Sequence, residues 1–289
     1  MSGYVEPNDP VLLARVEAAD KAIAERLANR SAPLFERIDW VKAAPWLYTL
    51  ALFAIWELLV LALNMPPTIL PSPLRVFEAI VQYWSPIWKN SLQTLYTTTF
   101  GFIIAVIAGL LLGLFIGWSK TIYAGLYPLM IGFNAIPKVA LVPILVIWFG
   151  IGTVPAVLTA FLISFFPIVV NVATGLATIE PETEDVLRAL GAKKMDIMLK
   201  VGIPRSMPYF FGSLKIAITL AFVGSVVSET VASNYGLGNM MSSAQSQFNV
   251  PLVFAGLLML AVEGIAMYAL MAWLERRMTG WAHRSTMGQ

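Results

Sequence analysis

Six long apolar runs constrain the fold of this chain more than any other feature of its sequence. A helix needs about 20 mostly apolar residues to cross a bilayer, and runs of this length exclude the alternating pattern of a transmembrane barrel. Because lipid offers no partners to backbone polar groups, each run must be helical. The runs are roughly Pro45–Leu63, Leu92–Gly117, Tyr123–Trp148, Val154–Ala177, Tyr209–Ala232 and Leu252–Trp273. The sequence therefore predicts an all-α polytopic membrane protein with six transmembrane helices.

Composition supports this fold class and excludes several kinds of site. Charged residues make up 12% of the chain, against roughly 25% in ordinary soluble domains. The chain has no cysteine, which excludes disulfides and thiolate metal sites. The single histidine, His283, lies in a basic C-terminal tail, so we expect no metal site or proton relay based on histidine in the membrane. We also expect no catalytic residues and no nucleic-acid partner.

The positively charged residues between the runs predict the orientation. Cytoplasmic loops of membrane proteins carry an excess of Lys and Arg. With a cytoplasmic N-terminus, 15 of the 19 Lys and Arg residues fall on the cytoplasmic side and only Arg75 and Lys89 fall on the opposite side. The other two, Lys138 and Lys215, lie within the runs. We therefore expect both termini, and the charged loop over residues 180–208, to be cytoplasmic.

The apolar runs also predict the domain organisation. Residues 1–42 form a cytoplasmic tail, residues 43–275 the transmembrane domain, and residues 276–289 a basic cytoplasmic tail. The first forty residues contain no apolar run, so we expect no cleavable secretory signal. Asp9 and Pro10 are typical of a helix start, and a stripe from Leu12 to Leu27 predicts an amphipathic helix. That helix either lies on the membrane or its own protein, or docks a partner.

The charged loop between the fourth and fifth runs contains helix start and stop signals. Pro181 suits the first turn of a helix, and the acidic residues that follow it favour the positive N-terminal end. Gly191 is a typical stop, because glycine readily adopts a positive φ. A second helix is predicted over residues 192–200, with Gly202 and Pro204 ending it. The sequence thus predicts a helix–glycine–helix elbow that is suited to docking a partner.

Small residues recur every four positions along the second run and predict a close contact between helices. They are Gly101, Ala105, Gly109, Gly113 and Gly117. The sequence leaves open whether that contact lies within one subunit or between two.

The third run contains Pro137 and Pro143, and each proline is predicted to kink the helix because it removes a backbone donor. Irregular backbone at membrane depth is tolerated where it lines a cavity or is buried in protein. Broken helices also form the transport sites of other membrane proteins. A kinked packing helix and a segment that lines a pathway both remain open.

Ionisable residues within the runs are candidates for function, because a charge in the membrane is costly. They are Glu57, Lys138, Lys215, Glu229 and Glu263. Lys138 either attracts an anionic substrate or forms a structural pair with Glu57 or Glu263. Lys215 is close enough to the cytoplasmic side to snorkel.

A translocation pathway is predicted along polar residues of the runs. The candidates are Asn134, Lys138, Ser164, Ser225 and Glu229. The alternative for the small polar residues is hydrogen bonding to neighbouring helices. For Glu229, near the outer end of the fifth run, the alternative is simple contact with water.

The elbow resembles the signature of the permeases of bacterial ABC importers, which has Glu-Ala-Ala, three residues, a glycine, nine residues and Ile-x-Leu-Pro. The match here is Asp185-Val186-Leu187, then Gly191, then Val201-Gly202-Ile203-Pro204. Further motifs resemble the nitrate, sulfonate, taurine and bicarbonate branch of that family. They are Trp56-Glu57, Leu70-Pro71-Ser72-Pro73, Ile136 to Pro143, Trp148-Phe149-Gly150-Ile151-Gly152 and Tyr235-Gly236-Leu237-Gly238.

The resemblance implies a type I permease fold in the bacterial inner membrane and a set of partners. These are two cytosolic ABC ATPase subunits, an extracytoplasmic substrate-binding protein, a second permease copy in a homodimer, and membrane lipid. ATPase coupling then falls on Glu184, Asp185, Val186, Leu187, Arg188, Gly191, Ala192 and Pro204. The chain lacks a phosphate-binding Gly-x-x-x-x-Gly-Lys-Ser/Thr loop, so we expect ATP and Mg²⁺ to bind the partner and no cofactor to bind this chain.

Three functions compete at the level of sequence. The first is import of a small solute, such as a sulfonate, nitrate or bicarbonate anion, with ATP hydrolysis by the partner. The second is a self-contained secondary transporter, which usually shows an internal repeat of spans that this sequence lacks. The third is a membrane enzyme, which the absence of a paired-carboxylate or Ser/His arrangement disfavours.

Overall fold

A computed structural model describes residues 14–22, 40–177 and 181–279. The chain divides into two compact units after Asn64. The first unit contains α1 (residues 14–22) and α2 (Trp40–Ala62). The expected helix start at Asp9 and Pro10, and the end of the stripe at Leu27, lie outside the described residues.

The second unit is built from helices, and no strand occurs within the described residues. Its helices are α3 (Pro73–Gln82), α4 (Trp84–Gly117), α5 (Lys120–Ala135), α6 (Val142–Phe149), α7 (Thr153–Ala177), α8 (Pro181–Ala189), α9 (Lys194–Ile197), α10 (Ile203–Ala232), α11 (Leu237–Ser246) and α12 (Val250–Thr279). A 3₁₀ turn, Lys138–Leu141, precedes α6, and a π-helical turn, Met198–Gly202, precedes α10. The predicted all-α fold is confirmed.

The number of spans also agrees with the sequence. Within the described residues, five helices are long and apolar enough to cross a membrane, and a bent pair makes up a sixth span. The bent pair joins Lys120–Ala135 to Lys138–Phe149 at an angle of 73°. The predicted interruption of the third span is therefore present.

The two prolines of this third span act differently from each other. Pro137 lies in the break, with φ −65° and ψ 96°. Pro143 lies in the first turn of α6, where a helix needs no backbone donor from it. The expected kink at Pro143 is therefore wrong, because this proline begins a helix instead of bending one.

Helix α7 packs against both α4 and α10 and forms the centre of the second unit. The small-residue face of α4 lies against α7. A Cβ added at Gly113 would lie 2.7 Å from Cβ of Val172, and one at Gly101 would lie 2.6 Å from Cβ of Ala160. The face therefore allows close approach of two helices within one subunit.

The connection from the elbow into the fifth span corrects the sequence prediction. The helix expected to end at Gly202 and Pro204 instead continues through the π-helical turn into α10. The amide of Ile203 donates to Met198 O, five residues earlier. Pro204 falls in the first turn of α10, where its missing N–H is tolerated. The π-helical turn therefore lets the chain enter the span without a loop.

Candidate functional site

The elbow, defined here as residues 181–202, is a helix closed by a glycine turn. Gly191 has φ +86° and ends α8. The Ala192 amide donates to Leu187 O at 3.0 Å and the Gly191 amide to Arg188 O at 2.9 Å. This pair of bonds is the Schellman motif, in which glycine supplies the left-handed residue. The predicted stop at Gly191 therefore has the expected geometry.

The elbow exposes apolar side chains on an otherwise charged segment. Arg188 forms an ion pair with Glu184 one turn earlier on α8, at 2.5 Å. Leu190 is 78% exposed, and Val186, Met195 and Leu199 are each more than half exposed. A cavity of about 360 Å³ opens between α8 and α9, and Leu187, Leu190 and Ala192 contribute to its lining. Charged groups around exposed apolar residues are typical of a surface that meets a protein partner.

The break in the third span lies beside an aromatic cavity. The cavity has a volume of about 290 Å³ and is lined by Met130, Phe133, Asn134, Ile136, Lys138, Leu141, Leu162, Phe165 and Phe166. The Lys138 ammonium donates to Asn134 Oδ1 at 2.6 Å and to Asn134 O at 2.8 Å. It also lies 5.9 Å from the centre of the Phe166 ring. The structure thus brings two predicted pathway residues, Asn134 and Lys138, to one cavity.

The other predicted pathway residues lie inside the helix bundle. Ser164, Ser225 and Glu229 are each 0% exposed in the isolated chain. Ser164 Oγ donates to Ala160 O at 2.7 Å, which is a bond within its own helix. Glu229 therefore makes no contact with water, contrary to the alternative considered for it. The pathway role of these three residues stays a prediction.

Glu229 belongs to a buried polar seam where α4, α10 and α12 meet. Its carboxylate accepts hydrogen bonds from Thr94 and Thr97 of α4. Glu263 of α12 accepts from Ser91, one turn earlier on α4. Lys138 donates to Asn134, and Glu263 accepts from Ser91, so the alternative of a pair between Lys138 and Glu263 is not what the structure shows.

The structure contains an ion pair between α10 and α12 that the sequence did not predict. Lys215 Nζ lies 2.6 Å from Glu275 Oε2, and the two side chains are 27% and 15% exposed. Lys215 thus has a carboxylate partner within the chain, and its snorkelling toward the cytoplasmic side stays a prediction. Nothing in the spacing of the sequence links the two helices. The only signal was an acidic residue two positions after the end of the sixth run.

The described residues include no group of three or more His, Cys, Asp or Glu side chains that could hold a metal ion. The polar groups gathered at the cavity, the seam and the elbow comprise amides, hydroxyls, carboxylates and cations. Such groups can bind and orient a solute or a partner.

Comparison with known proteins identifies the family. Residues 105–280 match the family described as "Binding-protein-dependent transport system inner membrane component". The chain is 32% identical over 238 residues to the formylaminopyrimidine transport permease protein ThiX of Halalkalibacterium halodurans, covering 82% of this chain and 95% of the relative. It is also 32% identical to the riboflavin transport system permease protein RibX of Chloroflexus aurantiacus, covering 85% of this chain and 92% of the relative.

More distant similarities agree with these. The taurine transport system permease protein TauC of Escherichia coli is 27% identical, covering 80% of this chain and 86% of the relative. An inward-facing structure of the MetNI methionine ABC transporter aligns with a TM-score of 0.54 at 20% identity, covering 70% of this chain and 96% of that chain. This likeness supports the type I importer permease fold predicted from the elbow motif. The chain therefore belongs to the binding-protein-dependent transport system inner membrane components, as the multi-pass permease subunit of an ABC importer in the bacterial inner membrane.

Proposed function

We propose that this permease moves a small organic anion through a pathway beside the broken third span, driven by an ATPase that docks on the elbow. The elbow and the N- and C-termini lie on the cytoplasmic side in this proposal. The observation that carries it is the elbow surface, where Leu190 is 78% exposed next to the turn at Gly191. When a partner covers an exposed leucine on a charged segment outside the membrane, the removal of its apolar surface from water stabilises the complex.

Coupling follows from the connection between the elbow and α10. The π-helical turn joins α9 directly to the fifth span, so no loop between α9 and α10 absorbs a displacement of α9. A push on α8 and α9 by a closing ATPase is therefore transmitted to α10 as a rigid-body movement. Because α10 packs against α7 and α12, the movement tilts the bundle between an inward-open and an outward-open state.

The working assembly contains two permease copies, two ATPase subunits and one binding protein. Helix α5 has no buried residue in the isolated chain. On α6, Ile147 is 80% exposed and Trp148 is 70% exposed. These apolar surfaces are available to the second permease copy and to lipid. The ATPase subunits supply the ATP and Mg²⁺ chemistry.

The cavity beside the break supports an organic anion as the solute. Lys138 supplies a positive charge, Asn134 an amide, and Phe133, Phe165 and Phe166 a set of rings. A flat heterocycle is a second candidate, because the rings provide stacking surfaces and two relatives at 32% identity are named for formylaminopyrimidine and riboflavin. Uptake of labelled taurine, an alkanesulfonate, a pyrimidine and a flavin by the reconstituted complex separates the two classes.

The absence of cysteine makes a direct test of docking straightforward. Leu190→Cys places a single thiol on the elbow, and Phe248→Cys places one in the turn between α11 and α12, at a site 79% exposed. In the proposed orientation this turn lies outside the cytoplasm. A crosslinker of about 10 Å, with a maleimide that bonds to the thiol and an active ester that acylates a lysine of the ATPase, should join the first variant to the co-expressed ATPase and leave the second unjoined. Equal crosslinking at the two sites, or none at Leu190→Cys, would show that the elbow does not dock the ATPase.

ATP dependence separates the import function from the secondary-transporter alternative. Proteoliposomes with this permease, its ATPase and its binding protein should take up solute only when ATP is present on the ATPase side. Uptake driven by an ion gradient alone, with no ATPase bound, would support the alternative.

A further inference from the structure

Glu229 has a more specific environment than a pathway residue requires. Its carboxylate accepts from Thr94 Oγ1 at 2.8 Å, Thr97 Oγ1 at 2.9 Å, Ser225 Oγ at 3.3 Å and the Gly238 amide at 3.3 Å. Both carboxylate oxygens are therefore occupied by groups of the protein. A buried carboxylate is tolerated when its oxygens are paired in this way. The four donors come from α4, α10 and α11, so Glu229 joins three helices.

The first turn of α11 depends on these neighbours. A helix leaves its first backbone amides without intrahelical partners, and α11 has no side-chain cap from its own Gly236. The Gly236 amide donates to Asn90 Oδ1 at 2.8 Å, and the Leu237 amide donates to Thr94 Oγ1 at 2.8 Å. The Gly238 amide donates to Glu229, whose negative charge also suits the positive end of the helix. Side chains of α4 and α10 therefore cap α11.

The glycines of the Tyr235–Gly238 sequence fit closely around Glu229. Gly236 has φ +103°, and a Cβ there would overlap the Glu229 carboxylate. A Cβ at Gly238 would lie 2.5 Å from Val226 O and 2.8 Å from Cβ of Glu229. The two glycines thus allow the backbone to approach the carboxylate closely.

Tyr235, immediately before this turn, belongs to an open surface. It is 66% exposed and lines a cavity of about 360 Å³ together with Lys89, Asn90 and Gln93. Asn90 both lines this cavity and accepts from the Gly236 amide. Any shift of the turn therefore changes the shape of the cavity.

We propose that Glu229 is a positioning residue that holds the start of α11 and Tyr235 against α4, and so shapes the surface that the substrate-binding protein contacts. This rests on the proposed function, which places this end of α10 outside the cytoplasm. The binding protein is the partner because the surface lies at the opposite end of α10 from the elbow, and because Lys89 and Tyr235 offer it a cation and an exposed ring.

Hydrogen exchange on the permease in lipid nanodiscs tests the positioning role without any partner. In Glu229→Ala, amides of residues 236–246 should exchange about ten-fold faster or more, with those of α7 unchanged. Glu229→Gln should stay within about three-fold of wild type, because its amide oxygen still accepts from the Gly238 amide and the hydroxyls rotate to match. Thr230→Ala is the matched control, because Thr230 follows Glu229 on α10 and its side chain is exposed.

Thr94→Val serves as a second variant if Glu229→Ala does not fold. It removes one hydroxyl that bridges Glu229 and the Leu237 amide, and it preserves side-chain volume. It should speed exchange in the same segment by about three-fold or more. Wild-type exchange over residues 236–246 in both Glu229→Ala and Thr94→Val would overturn the proposal.

The assembled transporter tests the consequence for docking. In Glu229→Ala, the binding-protein concentration that gives half-maximal stimulation of ATP hydrolysis should rise about five-fold or more, while the maximal rate is retained. A lower maximal rate with unchanged half-saturation would instead place Glu229 in the transport step and overturn the proposal. If the wild-type complex shows no stimulation at all, the proposed function fails, whereas hydrogen exchange still tests the capping of α11.

Discussion

Lys215 of α10 and Glu275 of α12 form an ion pair, with 2.6 Å between Nζ and Oε2. The two side chains are 27% and 15% exposed, so the pair is neither fully buried nor fully solvated. Pairs on the surface contribute about 0–1 kcal/mol, and breaking a buried pair costs about 3–5 kcal/mol. An intermediate value therefore applies to this contact between two spans.

We expect Lys215→Met to lower the free energy of unfolding by about 1–2 kcal/mol, because it leaves Glu275 without its cation. The charge-reversed double variant, Lys215→Glu with Glu275→Lys, should recover at least about half of the loss. Thermal melting of the purified permease in detergent measures both effects. A loss in the double variant equal to the sum of the losses in the two single variants would show that the two side chains do not stabilise each other.

Gly191→Val should separate ATP hydrolysis from uptake. A β-branched residue at φ +86° costs about 1–3 kcal/mol, so the turn between α8 and α9 changes shape. We expect uptake by the complex to fall by about ten-fold or more, which is ~1.4 kcal/mol of coupling, with hydrolysis continuing. Gly191→Pro should act in the same way.

Gly150→Val is the matched control for the Gly191 variants. Gly150 has φ +77°, and a Cβ there, as at Gly191, has no atom within 4 Å. It lies between α6 and α7, at the other end of the bundle from the elbow. If the two variants reduce the ratio of uptake to hydrolysis equally, the elbow has no special part in coupling.

Lys138→Met removes the positive charge from the cavity beside the break. For an anionic solute, uptake should fall by about ten-fold or more with normal assembly, because the charge that attracts the solute is lost. Lys138→Arg should retain most of the uptake. The measurement is initial uptake rate together with the amount of complex in the membrane. Loss of the complex itself would indicate that the Lys138–Asn134 contact is needed for assembly.

Gly113→Leu should disrupt the contact between α4 and α7. Its Cβ would lie 2.7 Å from Cβ of Val172, and overpacking of this kind costs about 1–3 kcal/mol. Gly125→Leu in α5 is the control, because a Cβ at Gly125 has no atom within 4 Å. Melting temperatures of the two purified variants check this, and equal values would contradict the packing.

Local features could be predicted from the sequence because they depend on neighbouring residues. Apolar length indicated the spans, Pro137 indicated the break, and Gly191 indicated the end of α8. The predicted helix end at Gly202 and Pro204 was wrong for a physical reason. Both residues are strong stop signals in an α-helix. In the π-helical turn, however, the Ile203 amide donates to Met198 O, five residues earlier, and the helix continues past them.

The sequence alone determined that this chain crosses a membrane several times and carries an elbow, because transfer free energy and backbone preference act residue by residue. Only the tertiary structure decided which buried polar groups meet. Glu229 and Thr94 are 135 residues apart, and Lys215 and Glu275 lie on different spans. Hydropathy registers only the cost of placing each group in the membrane, whereas the partner that offsets this cost is set by how the helices pack.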